Sequence, residues 1–186
     1  MSDRVRYSMD AAQSQFTVHA FASGLAAVVA HNPKFAIRDF KGEAQFTQDT
    51  LQDASLHMRI KTSSLELMDE VSEYDRGEID RVMFHEVLEE SRFPEIAYES
   101  SKISVARLSE NLYAATVSGN LTVHGVTNRL DFTAQVVIGE DTLRGYGNFQ
   151  VKQSDYGIAI ASIAGGTLKM KDELKIAFFI VAKKQG

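Results

Sequence analysis

No cysteine occurs anywhere in the 186 residues, so a disulfide framework, a thiolate nucleophile and a sulfur metal site are all excluded, and stability has to come from burial. Long apolar runs are missing too. The longest, 25–30 and 176–182, fall far short of the roughly 20 residues that cross a bilayer as a helix. Excess positive charge is absent: the formal net charge of −5 argues against a phosphate-tracking surface and a nucleic-acid partner. The first fifteen residues contain Asp3, Arg4, Arg6 and Asp10 and no apolar block, so no secretory signal and a cytoplasmic location are expected. There is no Gly-Lys-Ser or Gly-Lys-Thr string and no Gly-x-Ser-x-Gly elbow, which removes the phosphate-binding loop and the strained nucleophile turn.

What remains is ordinary for a globular protein. With 44% hydrophobic and 24% charged residues, the chain fits one domain over 1–186, because a single barrel occupies this length with one core. Charge is spread unevenly. The stretch 66–99 holds twelve acids against three arginines, leaving thirteen acids and seventeen bases elsewhere. The simplest reading is a solvated helix face on a mildly basic body, with a basic docking partner as the alternative.

Outside 66–90, apolar residues recur at every second position. Phe16, Val18 and Ala20 share one strand face, as do Leu56, Met58 and Ile60, and then Leu130, Phe132, Ala134, Val136 and Ile138. Leu143, Phe149 and Val151 follow, then Leu174, Ile176, Phe178 and Ile180, with polar residues such as Arg59, Asp131, Gln150 and Lys175 on the opposite faces. Turn signals at 109–111, 125–126, 139–142 and 165–166 leave no room for crossover helices, so neighbouring strands are antiparallel. The phase slips twice: between Ile37 and Phe40, where a bulge near Asp39 is expected, and between Tyr98 and Ile103. Such slips curve long strands and favour a closed barrel over a flat sandwich. Gly145, Gly147, Ala20 and Ala134 are small residues expected to leave space inside it.

The exceptional stretch reads as helix. Ser63 with Glu66, and Ser72 with Asp75, match the Ser-x-x-acid capping box. Val71, Tyr74, Ile79, Val82 and Met83 then fall near one stripe, predicting a helix whose apolar side packs over the open mouth of the barrel.

Few residues suggest chemistry. His85, Glu86 and Glu89 form HEVLE, which lacks the second histidine of the zinc-protease pattern and reads as an exposed helix end, so no metal or other cofactor is expected. His124 stands at a strand-end turn, where a local hydrogen bond is the expected role; a general base partnered by Asp131 and Ser154 or Ser118 is the enzymatic alternative. His19 and His57 sit on polar strand faces, and His31 belongs to a turn beside Asn32 and Pro33.

The most telling segment is 119–132, GNLTVHGVTNRLDF, in which Leu121 and Val123 point one way, Thr122 and His124 the other, and a turn at Gly125 leads into Leu130 and Phe132. Its LTVHGVT string resembles the signature of the YceI-like family, the lipocalin-like polyisoprenoid-binding proteins. Other landmarks follow in order. The stretch 76–100 is similar to the family's helix and following strand at Arg76, Phe84, Phe93, Pro94, Ile96, Tyr98 and Ser100. GNFQVKQSDYGI at 147–158 resembles a strand ending Arg-Ser-Asp-Phe-Gly, with Gln153 and Tyr156 in place of the arginine and phenylalanine. Segments 7–21 and 168–182 look like the first and last strands, and 24–39 is the weakest match.

The resemblance implies an all-β fold with one capping helix: a lipocalin-like antiparallel β-barrel of about eight strands. It also implies a non-enzymatic binder or carrier of a long isoprenoid lipid, of polyprenyl or quinone type, in the barrel lumen; exported relatives of the family exist. The expected lumen residues are Phe16, Val18, Leu56, Met58, Ile60, Phe132, Val136, Phe149, Ile176, Phe178 and Ile180, with Val82, Met83 and Phe84 as a gate on the helix. Two alternatives stand beside it. One is a filled-barrel interaction module that forms a homodimer through outward-facing Phe179 and Val181; the other is a hydrolase or isomerase working through His124 on an apolar substrate.

Overall fold

In the computed structural model, which describes residues 3–23, 32–163 and 168–186, the alternating runs become strands. In chain order these are β1 (Arg4–Met9), β2 (Gln15–His19), β3 (Ala22–Ser23), β4 (Lys34–Ile37), β5 (Phe40–Thr47), β6 (Ser55–Lys61) and β7 (Leu65–Leu67). A helix, α1 (Glu73–Arg81), precedes β8 (Glu95–Ser109), β9 (Leu112–Val123), β10 (Val126–Ile138) and β11 (Thr142–Lys152). The short β12 (Ser162–Ile163) and β13 (Leu168–Met170) pair beside β3, and β14 (Glu173–Gln185) ends the chain.

Eight strands close a barrel in the order β1-β5-β6-β8-β9-β10-β11-β14, every pair antiparallel, with β14 returning to β1 where Ala182 lies opposite Met9. The 165–166 turn expected from sequence lies outside the described residues, as does His31.

Three neighbouring strands break at one level. Between β1 and β2 the chain makes a short turn at Ala11–Gln13, capped by the Asp10 carboxylate accepting from the amides of Ala12 and Gln13. It then rejoins β14, with Thr17 opposite Ala177. The bulge expected near Asp39 is a full break: β4 pairs with β2 and β7, whereas β5 pairs with β1 and β6. The third break separates β6 from β7. There Thr62, 1% exposed, donates its hydroxyl to the Phe93 carbonyl at 2.8 Å. The Ser63–Glu66 capping box therefore starts no helix, because pairing of Leu65 and Leu67 with Ile37 and Phe35 makes this segment a strand.

The second box does form. Ser72 accepts from the Asp75 amide at 3.1 Å and starts α1, whose last turn continues as a π-helical turn over Val82–Val87. Val82 and Met83 are buried, and Ile79 packs against the core. Tyr74, assigned to the same stripe from sequence, is 82% exposed and points away.

The β9–β10 turn is His124–Gly125, with φ of 52° and 72° and Val123 paired to Val126. Two left-handed residues make this the primed hairpin turn that suits the strand twist. It sits one residue earlier than the sequence suggested. The second phase slip is a genuine bulge in β8 between Ser100 and Lys102.

The outer faces of the barrel are polar. Arg59 reaches Glu99 at 2.7 Å and Arg129 reaches Asp131 at 2.9 Å, the reverse of a lipid-facing barrel wall. Among the described residues no helix is long and apolar enough to cross a membrane. The outward patch expected at Phe179 and Val181 is only half present. Phe179 is 39% exposed, but Val181 is buried, because the β1–β2 connection crosses it: the Asp10 amide donates to its carbonyl, and its own amide donates to the Ser14 hydroxyl.

Two glycines separate close packing from open space. A Cβ on Gly119, opposite the β8 bulge, would stand 2.3 Å from the Glu99 carbonyl oxygen, whereas one on Gly145 would meet nothing within 4 Å. Gly119→Ala is expected to destabilise the protein by about 1–3 kcal/mol, and Gly145→Ala to leave it unchanged or stabilise it by about 0.4–1 kcal/mol, read as urea midpoints at constant m.

Candidate functional site

The inward faces of the barrel meet only in part. Aromatic rings form a chain across the interior, running from Tyr98 to Phe132 at 5.5 Å, Phe132 to Phe178 at 5.7 Å, and Phe178 to Phe16 at 6.5 Å, with Phe16 edge-on to Phe40 at 5.7 Å. Beside this chain lie an inner lumen and a cavity at the helix end.

The larger part of the barrel holds a lumen of about 180 Å³. Phe16, Leu56, Met58, Ile60 and Phe132 line it, as do Val136, Phe149, Phe178 and Ile180, all expected from the alternation. Gly145 and Ala134 also face it. Among the described residues its walls carry no charged side chain. Tyr98, one of the few polar residues there, donates its hydroxyl to the Leu130 carbonyl at 3.1 Å, and burial, helped by Asp131, pushes its pKa up to about 12. A neutral ring therefore faces the lumen. Val105, toward the end of β8, lines the lumen and is 37% exposed. That part of β8 lies beyond Glu99, where pairing with β6 ends.

A second cavity of about 350 Å³ lies at the helix end. The three strand breaks create it: β2, β4 and β7 splay from the barrel wall and α1 packs across them, so Val18, Phe35, Leu65 and Leu67 face Ile79, Val82 and Met83. Val18 thus belongs to this chamber and not to the lumen. Ile176 and Phe84 line neither: Ile176 is buried in the cluster that also holds Phe16, Phe35, Ile60 and Met83, and Phe84 packs against that cluster. Since the cluster gives wall residues to both cavities, it stands between them. Gly147 also opens no space, because a Cβ there would lie 2.7 Å from the Thr133 carbonyl and 3.0 Å from the Phe178 ring.

The expected lumen set left out Ala115, Val117 and Leu121 of β9, and also Leu130, which the alternation had placed on the same face as Phe132 and Val136. The second chamber was legible only on its helix side, in the stripe of Val71, Ile79, Val82 and Met83. Its other walls include Leu65 and Leu67, Gln153 and Met170, from three separate stretches of chain that meet only through tertiary packing.

The histidines are engaged elsewhere. His124 bonds Glu89 Oε2 through Nε2 at 2.5 Å, and its ring lies 4.4 Å from that of Phe93. Asp131 is instead held by Arg129, and Ser154 by Asp172. Among the described residues no nucleophilic constellation forms around His124; it pins the helix end to the β9–β10 turn. His57 pairs with Glu43 at 3.7 Å. His19 is held below its usual pKa by burial, then by Lys34 and Lys175.

Comparison with known proteins follows this geometry. The family model of the YceI-like domain matches residues 7–182. Among solved structures, Burkholderia cenocepacia BcnA is 20% identical with a TM-score of 0.71, covering 93% of this chain and 98% of that one. A polyisoprenoid binding domain from Saccharophagus degradans, implicated in plant cell wall breakdown, is 13% identical with a TM-score of 0.69, covering 96% and 98%. The Campylobacter jejuni YCEI protein is 16% identical with a TM-score of 0.61, covering 84% and 88%. A search of the curated proteins finds no match.

The Glu89 seam has a pH signature. Arg92 first, then His124, hold the Glu89 carboxyl below its ordinary 4.5. A depressed carboxyl contributes stability that is present above its unfolded pKa and lost as pH falls through the folded one. Glu89→Gln is therefore expected to lower the urea midpoint at neutral pH, and the gap from wild type should close on the acid side of 4.5.

Proposed function

Because the chain belongs to the YceI-like domain family, and because its barrel encloses apolar space where a filled core would otherwise sit, we propose that it binds a long isoprenoid lipid, of polyprenyl or quinone type, and stores or carries it without chemical conversion. The observation that carries this reading is the lumen itself, with alternate apolar side chains on all sides and no charge among them. The description of the Saccharophagus degradans domain of the same fold supports the ligand class.

Burial alone supplies the affinity. Each methylene removed from water contributes about 0.8 kcal/mol, so roughly ten carbons give on the order of 8 kcal/mol before ordering and association costs. No catalytic group or metal is needed for that. Polar groups beside the apolar walls hold whatever head group the lipid carries, as small-molecule sites generally combine apolar walls with a few oriented polar atoms. A chain longer than the lumen has to pass the partition, where Phe16 sits between Phe40 and Phe178.

The filled-barrel homodimer needs a solid interior and an apolar outer seam; the lumen and the covered Val181 favour the carrier over it. The His124 enzyme needs a free imidazole beside a substrate space, and His124 lines neither cavity.

Organic extraction of the purified protein, followed by mass spectrometry, is expected to release a stoichiometric isoprenoid, and delipidated protein should rebind geranylgeraniol. Delipidated protein that binds no isoprenoid overturns the reading. Gly145→Phe, directed into open lumen, should weaken geranylgeraniol binding by roughly tenfold or more while circular dichroism stays native. His124→Gln should leave binding unchanged.

A further inference from the structure

The lumen and the helix-end cavity come within one layer of side chains of each other. On β2, Phe16 lines the lumen and Val18 lines the helix-end cavity. The two residues alternate onto the same strand face, so their Cα positions are only about 7 Å apart along the strand. Strand β14 repeats the arrangement with one step more. Its Leu174 faces the helix-end cavity and its Phe178 the lumen, while Ile176 between them is buried and lines neither.

One row of side chains makes this layer. Phe16 stands opposite Phe178 across the β2–β14 pairing, with ring centroids 6.5 Å apart, and meets the Phe40 ring edge-on at 5.7 Å. Phe40, 4% exposed, lies opposite Ile60 across the β5–β6 pairing. The row therefore crosses the barrel from β14 through β2 and β5 to β6. Dispersion and edge contacts hold it, each individually weak, so a ligand can displace a ring from it at the cost of that packing.

Size says how much chain enters before it meets the row. An apolar cavity of about 150 Å³ lined by aliphatic and aromatic side chains takes a molecule the size of benzene, so the lumen holds roughly one to two five-carbon units. Its volume is about 180 Å³. A longer tail has about 350 Å³ beyond the row, and reaches it by pushing Phe16 off Phe40 and Phe178. Carbons past that point are still buried, but the contacts given up reduce the net gain, as for any ligand whose binding-competent arrangement is a minor one.

Resting on the isoprenoid-binding reading, we infer that Phe16 sets the tail length this protein prefers. It is the floor of the lumen for tails of up to about ten carbons and a barrier that a longer tail has to displace. Affinity climbs over the first two isoprene units. It stalls over the third, whose burial is offset by the displaced ring, and climbs again over the fourth, which lies among Val18, Phe35 and Leu67 of the helix-end cavity.

The test measures binding of prenol, geraniol, farnesol and geranylgeraniol, which carry one head group on tails of one to four isoprene units, to full-length delipidated protein. Each added unit is expected to tighten binding by about tenfold or more, except the step from geraniol to farnesol, which should change it by less than about threefold. Phe16→Ala joins the two spaces and should raise the preference for geranylgeraniol over geraniol by about tenfold or more. Should that variant lose the native circular dichroism spectrum, Phe16→Leu is expected to shift the same ratio in the same direction by a smaller factor. Even increments along the wild-type series, or a folded Phe16 variant that changes geraniol and geranylgeraniol by the same factor, overturn this inference and leave the carrier reading standing. Failure of all four alcohols to bind overturns both.

Discussion

Everything in this barrel depends on one strand having two partners along a single edge. The far end of β14 pairs with β1 and shuts the eight-stranded wall; its near end pairs with β2, which leads into β4 and β7. A strand of ordinary length serves only one neighbour per edge, whereas the thirteen residues of β14 reach past the break between β1 and β2. The turn at Ala11–Gln13 makes this geometry possible. It lifts the chain off β14 for a few residues, with Asp10 and Ser14 satisfying the backbone groups that the interruption would otherwise leave bare.

From that shared edge the two chambers follow. Strands that stay in the closed wall enclose the lumen; strands that leave it at the common break line need another surface for their apolar faces, and α1 supplies it. The helix is held by few strong attachments. Arg76 caps the carbonyls of Leu67 and Asp69, and His124 ties the far end through Glu89. The exposed arginine–glutamate pairs of this segment, such as Arg81 with Glu78 and Glu86, are of the kind that adds little stability, so its docking rests mainly on Ile79, Val82 and Met83.

Charge is sorted with respect to these spaces. Cations stay on the outer wall, where Arg59 and Arg129 find carboxylates, and the acids of α1 gather around one chamber. The interior is thus apolar at its centre, where water is a poor occupant.

Period-2 alternation made the barrel legible in the bare sequence, because one wall of every strand faces the inside and an apolar lining is required of it; Leu56, Met58, Phe132, Val136 and Phe178 were readable for that reason alone. The motif around His124 told the family, and the Ser72 box located α1. Local grammar misled where tertiary pairing outweighed it: Ser63 and Glu66 read as a helix start, yet Leu65 and Leu67 had a strand edge waiting on β4. Whether the inward side chains would touch across the middle was decided only in three dimensions. That outcome depends on barrel radius and on where strands break, quantities set by pairings between distant residues such as Met9 with Ala182 and Phe35 with Leu67. The helix-end chamber was decided there too, for Leu65, Met83 and Gln153 become neighbours of one space only through the fold.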